Sequence, residues 1–187
     1  LASLRVVPNL TIASPMDEKE LRRLMYTASL PDKGCFVIRY PRGRGIYTEW
    51  KCPLETIEVG TGRKINDGED VAVLTLGPIG NDVQDVIATM NKKPAHYDMR
   101  FLKPLDENLL KEVAEKYKHI ITIEDGVRNG GMGTAVMEWL NDNGYTNISV
   151  KRMGIPDKFI EHGSIDELRA IIGLDNDTIK KTICSYM

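Results

Sequence analysis

The sequence predicts an α/β fold with a mostly parallel sheet, preceded by a small β-α-β unit. From residue 70 onward, apolar strand patterns alternate with helical patterns of about 10–15 residues, which is typical of three-layer α/β domains. The first 45 residues contain one further strand–helix–strand pattern of their own. The 187 residues are 42% hydrophobic and 28% charged, which excludes disordered, collagen-like and coiled-coil classes.

The first unit consists of a strand at 6–13, a helix and a buried strand at 35–40. The helix starts in residues 14–18 (Ser-Pro-Met-Asp-Glu), where Ser14 can cap and two acids lie near the positive end of the helix dipole. Parallel strands are normally covered on both faces, so this unit must pack on other sequence.

Residues 46–69 are rich in glycine and poor in strand pattern, which indicates a connection and an edge hairpin, with a domain boundary near residue 52. Beyond them the alternation becomes regular. The predicted strands are 71–76, 95–99, 119–123 and 148–152, and the predicted helices are 81–91, 104–117, 130–141, 164–172 and 175–185.

Charge and cysteine content limit the function classes. The net charge is −2 and no block of like charge is present, so nucleic acid and membrane are not expected partners. No apolar run approaches the ~18 residues of a membrane span. The three cysteines, Cys35, Cys52 and Cys184, are widely spaced, which favours a reducing cytosol over a disulfide framework and predicts a cytoplasmic protein.

Three arginines, Arg39, Arg42 and Arg44, follow the strand at 35–40. Ligands of open α/β sheets bind at the carboxyl ends of strands, and the guanidinium fork fits a phosphate group. Gly43 and Gly45 would let other groups approach closely. Spacing alone also fits ordinary solvated turn residues, and both interpretations stay open on that ground.

The remaining motifs indicate structure rather than chemistry. Gly77-Pro78-Ile79-Gly80 lacks the GxGxxG spacing and a Walker lysine, so we expect a tight turn. The glycines of 130–133 predict close packing of a helix. Glu124 and Asp125 are adjacent on a strand and point in opposite directions, so they should not share a site.

No catalytic or metal-binding residue is predicted from spacing. The three histidines, His96, His119 and His162, lack ligand spacing to a cysteine or carboxylate, and no nucleophile motif is present.

Longer strings resemble the carboxyl-terminal part of the 1-deoxy-D-xylulose 5-phosphate synthases, a family of transketolase-type enzymes. They span nearly the whole chain in family order. They are LRVVPN at 4–9, SPMDE at 14–18, VIRYPRG at 37–43, DMRFLKPLD at 98–106, TIEDG at 122–126, GGMG at 130–133 and GIPDKFIEHG at 154–163.

The resemblance implies a domain organisation. Residues 1–52 would be the end of the pyrimidine-binding domain plus a linker, and 53–187 the three-layer transketolase C-terminal domain. The β-α-β unit is then a remnant of a larger domain, and Leu1 lies inside a longer homodimeric protein. The family's catalytic residues and its sites for thiamine diphosphate and magnesium would precede Leu1, so we expect no catalytic, cofactor or metal residue here and no activity of this chain alone.

The resemblance also implies the reaction and the site. The family condenses pyruvate with D-glyceraldehyde 3-phosphate, with loss of CO2, in isoprenoid and thiamine biosynthesis. Its acceptor-phosphate contact corresponds to Arg42, with Arg39 as a second candidate, whereas Arg44 departs from the family's usual residue and receives no role. Two alternatives are a non-catalytic α/β interaction module and the pyrimidine-binding subunit of a 2-oxoacid dehydrogenase.

Overall fold

Two β-sheets and their covering helices make up the structure. A computed structural model describes residues 1–43 and 45–187, and within these residues there are eight strands and seven helices. The strands are β1 (Leu10–Ala13), β2 (Cys35–Ile38), β3 (Arg63–Asn66), β4 (Val71–Leu76), β5 (Ala95–Asp98), β6 (Phe101–Lys103), β7 (His119–Val127) and β8 (Ser149–Ile155). The helices are α1 (Ala2–Arg5), α2 (Glu18–Ala28), α3 (Ile79–Ala88), α4 (Glu107–Lys116), α5 (Met132–Asp142), α6 (Ile165–Ile172) and α7 (Asn176–Cys184).

The first sheet has three strands in the order β2-β1-β6. Strands β1 and β2 run parallel with Leu10 opposite Cys35, and α2 connects them, so the predicted β-α-β unit is confirmed. Strand β6 pairs antiparallel with β1, with Ala13 opposite Phe101. The sequence pattern does not predict β6, because a strand of three residues is too short to show a period. The β-α-β unit therefore packs on the later part of the chain through a shared sheet.

Several details of the first unit differ from prediction. The strand predicted at 6–13 covers only Leu10–Ala13, and the short helix α1, which the sequence pattern does not predict, lies before it. Helix α2 is capped by Asp17, whose side chain accepts a hydrogen bond from the Glu20 amide, so the expected Ser14 cap is wrong. Ser14 directly follows β1 and lies three residues before Asp17. Its hydroxyl donates to the Arg39 carbonyl instead, at 3.1 Å. Strand β2 is half-exposed rather than buried, since it is the outer strand of the first sheet.

The second sheet has five strands in the order β3-β5-β4-β7-β8. Four of them are parallel, and β3 pairs antiparallel with β5 at one edge. The mostly parallel sheet is thus confirmed. The expected hairpin within 46–69 is wrong. Strand β3 pairs with β5, and β4 and α3 lie between these two strands in the sequence.

Side chains of the central strand β4 point alternately to two helical layers. Ala72, Leu74 and Leu76 pack in a buried cluster with α4 and α5, while Val71 and Val73 pack in a second cluster with α3 and α7. Every residue of β4 is buried, as expected for a strand covered on both faces. The predicted three-layer α/β architecture is confirmed.

The longest strand, β7, continues past its predicted end. The sequence predicts a turn at 124–126, but pairing with β8 resumes at Val127 after an irregularity that follows Ile123. Glu124, Asp125 and Gly126 are typical turn residues, but pairing with β8 extends β7 through them to Val127. Among the described residues, no helix is long and apolar enough to cross a membrane.

Candidate functional site

The segment that carries the predicted phosphate-binding arginines begins at the carboxyl end of β2. The Arg39 amide donates to the Ala13 carbonyl at 2.9 Å, which continues the parallel pairing of β1 and β2 by one residue. The Ser14 hydroxyl binds the Arg39 carbonyl. Both backbone groups of Arg39 are therefore held at the end of β1, and the chain leaves the sheet from a fixed point.

The Arg39 side chain reaches across to the second sheet. Its Nη2 lies 3.0 Å from Oδ2 of Asp125, near the carboxyl end of β7, and both side chains are about 30% exposed. The sequence places both arginines in one phosphate-binding turn, but the structure gives Arg39 a carboxylate partner of its own. The carboxyl ends of the two sheets meet at this ion pair.

Arg42 is placed differently. It is exposed and forms no ion pair or hydrogen bond with residues 1–43 or 45–187, so its guanidinium donors are available to a ligand. Gly43, with a φ of 148°, turns the chain immediately afterwards, in a conformation that L side chains rarely adopt. Arg44, which the sequence groups with these two arginines, lies outside the described residues.

A cleft of about 300 Å³ lies beneath the turn, between the start of α2 and the start of α3. Arg42 lies on the turn that forms one wall and is not itself a lining residue. The lining residues are Pro15, Met16, Asp17, Glu18, Leu21, Tyr40, Pro41, Gly43, Gly45, Ile46, Pro78 and Asn81.

The opposite wall of the cleft is fixed by the turn after β4. Gly77 has a φ of 80°, and a Cβ at this position would overlap the Ser14 hydroxyl. The Asn81 amide group donates to the Met16 carbonyl at 2.7 Å, which ties α3 to the segment before α2. The tight turn predicted at 77–80 is confirmed by a bond from the Gly80 amide to the Gly77 carbonyl at 3.0 Å.

Four buried or half-buried charged side chains link α2 to the β3–β5 edge of the second sheet. Arg100 Nε lies 2.6 Å from Glu20 Oε1, and Arg63 Nε lies 3.1 Å from Asp98 Oδ2. Arg63 also lies 3.4 Å from Glu20. Burial, followed by repulsion from the Glu20 carboxylate, raises the pKa of Asp98 to about 7, against the attraction of Arg63.

Sequence reasoning missed this charge cluster. Asp98 and Arg100 lie within one of the strings that resemble the synthase family, but their partners are distant in sequence. No local spacing could have joined them. The one available signal is that two charged residues, Asp98 and Arg100, sit at the end of an otherwise buried strand.

Glu124 and Asp125 point in opposite directions, as predicted. While Asp125 binds Arg39, Glu124 is buried and accepts a hydrogen bond from the Gly133 amide at 3.0 Å, at the amino end of α5. Burial raises the pKa of Glu124, and the amides of Gly133 and Met132 oppose that shift. A Cβ on Gly133 would overlap the Thr122 hydroxyl, so the glycine permits close packing of α5, as the sequence predicts.

No group of three or more His, Cys, Asp or Glu side chains that could hold a metal ion is found in residues 1–43 and 45–187. His96 is buried, its Nε2 lies 2.9 Å from the Thr75 hydroxyl, and burial lowers its pKa to about 4. Arg42 is the exposed and unpaired cation in the described part of the turn, and a free guanidinium group can donate hydrogen bonds to an anion.

Comparisons with known proteins identify a family and several similar proteins. Residues 60–179 match the family "Transketolase, C-terminal domain". The chain is 59% identical to the 1-deoxy-D-xylulose-5-phosphate synthase of Bacteroides thetaiotaomicron over 98% of its own length and 29% of that protein. It is 50% identical to the synthase of Cytophaga hutchinsonii, again over 98% of this chain and 29% of the relative.

A solved structure described as "Split gene transketolase, inactive beta4 tetramer" superposes with a TM-score of 0.84 at 28% identity. The superposition covers the whole of this chain and 60% of the transketolase chain. Against the curated synthases, the chain spans less than a third of their length.

Proposed function

Because this chain belongs to the transketolase C-terminal domain family, we propose that it forms part of a 1-deoxy-D-xylulose-5-phosphate synthase, a thiamine diphosphate-dependent transferase. The observation that carries the proposal is the 59% identity to the Bacteroides thetaiotaomicron synthase over 98% of the chain. The proposed enzyme joins pyruvate to D-glyceraldehyde 3-phosphate with loss of CO2, for isoprenoid and thiamine synthesis.

Within that enzyme, we assign Arg42 to the phosphate group of D-glyceraldehyde 3-phosphate. Its exposure and its lack of a carboxylate partner among the described residues support this role, because a guanidinium fork binds phosphate in a bidentate way. Arg39 is a weaker candidate for direct contact, since Asp125 already neutralises it. We propose that Arg39 holds the start of the turn. Its contact with the phosphate, through the guanidinium nitrogens that Asp125 leaves free, is secondary to that of Arg42.

We propose that this chain does not hold the cofactor. Thiamine diphosphate supplies the electron sink for this reaction type, and its diphosphate is held through magnesium in the proposed family. No cluster of metal-ligating side chains occurs in residues 1–43 and 45–187. The buried carboxylates of Glu20 and Asp98 are paired with arginines, and Oε1 of Glu124 accepts from the Gly133 amide, whereas its buried Oε2 has no partner among the described residues. We therefore propose that other parts of the intact enzyme bind the cofactor and magnesium.

We further propose that residues 1–52 end the pyrimidine-binding domain and that 53–187 form the carboxyl-terminal domain, in a cytoplasmic homodimer. On this proposal the chain alone is inactive. The solved neighbour supports this expectation, because it is described as a split gene transketolase in an inactive beta4 tetramer.

Release of CO2 from pyruvate by the full-length enzyme tests the proposed reaction. We expect CO2 release to depend on D-glyceraldehyde 3-phosphate, and we expect none from this chain by itself. If the full-length enzyme instead decarboxylates branched 2-oxoacids and transfers the product to a lipoyl acceptor, it is a 2-oxoacid dehydrogenase component and the proposal is wrong. If neither reaction occurs, the chain is better described as an interaction module.

A further inference from the structure

The turn that carries Arg42 is fastened at both ends. At its start, the backbone of Arg39 is bound to Ala13 and Ser14. At its end, the amides of Ile46 and Tyr47 are bound by a single side chain, the carboxylate of Glu18. The described residues on both sides of position 44 are thus held by fixed contacts rather than lying free on the surface.

Glu18 is well placed to hold the second point. As the first residue of α2, it has its carboxylate at the positive end of the helix dipole. Its Oε1 accepts from the Ile46 amide at 2.8 Å and its Oε2 from the Tyr47 amide at 3.0 Å, so both oxygens are used. A Cβ on Gly45 would overlap this carboxylate, and the glycine therefore permits the approach.

Neighbouring contacts fasten the same segment to α2. The Lys19 ammonium lies 4.7 Å from the centre of the Tyr47 ring, a cation–π distance. Further along, Arg22 Nε donates to the Cys52 carbonyl at 2.9 Å. Among the contacts between this segment and α2, the two made by Glu18 are nearest to Arg42 in sequence. Both are charge-assisted hydrogen bonds from a backbone amide to a carboxylate.

We propose that Glu18 is a positioning residue for phosphate binding: its carboxylate holds the Arg42 turn in the binding conformation before the substrate arrives. This inference rests on the proposed function, because it assumes that Arg42 binds the phosphate. A turn that is already ordered loses less conformational entropy on binding, so pre-ordering strengthens affinity without a new contact to the ligand.

The test uses the full-length enzyme with Glu18→Ala, Arg42→Ala and the double variant, and Glu49→Ala as the matched control. Glu49 is an exposed acid on the same segment whose side chain binds none of the described residues. For Glu18→Ala we expect KM for D-glyceraldehyde 3-phosphate to rise about three- to tenfold. KM for pyruvate, and kcat/KM for unphosphorylated D-glyceraldehyde, should match those of Glu49→Ala. In the Arg42→Ala background, Glu18→Ala should have no further effect.

Hydrogen exchange of a peptide covering 45–48 supplies a readout that is independent of turnover. Loss of two carboxylate-bound amides should speed exchange there by about tenfold or more. Unchanged exchange in Glu18→Ala would overturn the inference, and so would equal losses for both substrates. If Arg42→Ala raises KM for the phosphorylated aldehyde and Glu18→Ala does not, the positioning role alone is wrong. If Arg42→Ala has no selective effect, the proposed phosphate site itself is wrong.

Discussion

Arg39 and Asp125 join the carboxyl ends of the two sheets through an ion pair of 3.0 Å between Nη2 and Oδ2. Arg39 follows β2 in the first sheet, and Asp125 lies in β7 of the second. Each side chain is about 30% exposed, and half-exposed pairs of this kind contribute at most about 1 kcal/mol. The pair therefore orients the two edges more than it stabilises the fold.

A double-mutant cycle tests this estimate. Arg39→Ala and Asp125→Ala should each lower the free energy of unfolding by about 0.5–1 kcal/mol, because each removes the same partly screened attraction. The double variant should lose no more than the larger single loss, as measured by urea unfolding. Fully additive losses would show that the two side chains act independently and that the ion pair contributes nothing.

The turn after β4 gives a larger expected effect. Gly77→Ala places a Cβ against the Ser14 hydroxyl at a φ of 80°, so backbone strain adds to a steric clash. We expect a loss of about 2–4 kcal/mol in the free energy of unfolding. Gly144→Ala is the matched control, because Gly144 has a φ of 79° and no atom within 4 Å of the added Cβ. It should lose only the strain, about 1–2 kcal/mol; equal losses would mean that the Ser14 contact is unimportant.

Stability should depend on pH through Asp98. Its pKa in the folded state, about 7, lies above the ordinary value of about 3.9, so between these values the folded state holds a proton that the unfolded state has released. This group's contribution is therefore complete below about pH 4 and is lost as the pH rises to about 7. Asp98→Asn should remove that loss.

The measurement is urea unfolding at several pH values from 4 to 8 for the wild type, Asp98→Asn and the exposed control Asp142→Asn. His96, whose pKa burial lowers to about 4, gives the opposite slope, with stability rising between pH 4 and 6.5. Because burial is the main cause of the His96 shift and is the same in all three proteins, the difference between the wild type and Asp98→Asn reports chiefly on Asp98. Parallel curves for these two would contradict the raised pKa.

Elements with a clear hydrophobic pattern are predictable from this sequence. Strand β4 lies at the predicted positions because six consecutive buried residues are bounded by turn signals. Strand β6 is not predictable, since its three residues become a strand only by pairing with β1, far away in sequence. The Ser14 cap fails for a related reason: the Arg39 carbonyl, which competes for the Ser14 hydroxyl, is brought there by the parallel pairing of β1 and β2.

The site was partly predictable as well. Arginine spacing located the turn but could not separate Arg39 from Arg42, because the partner of Arg39 is 86 residues away. Glu18 belonged to a recognised helix start, yet its bond to Ile46 depends on how the turn folds back onto α2. Local sequence patterns identify residues that could bind a ligand, and long-range contacts decide which of them already have a partner within the fold.

Arg42→Ala in the full-length enzyme should weaken the phosphorylated substrate far more than pyruvate. A hydrogen bond from a charged donor is worth about 1.5–3 kcal/mol, so kcat/KM for D-glyceraldehyde 3-phosphate should fall roughly 10–150-fold. Arg39→Ala should have a smaller effect, because Asp125 already occupies part of its guanidinium.

Lys33→Ala serves as the control, since Lys33 is an exposed cation at the amino end of β2, away from the turn. Steady-state kinetics with each substrate varied in turn distinguishes these cases. Equal losses for pyruvate and the phosphorylated aldehyde would mean that Arg42 supports the fold or the cofactor domain rather than the phosphate, and a greater loss for Arg39→Ala would reverse the two assignments.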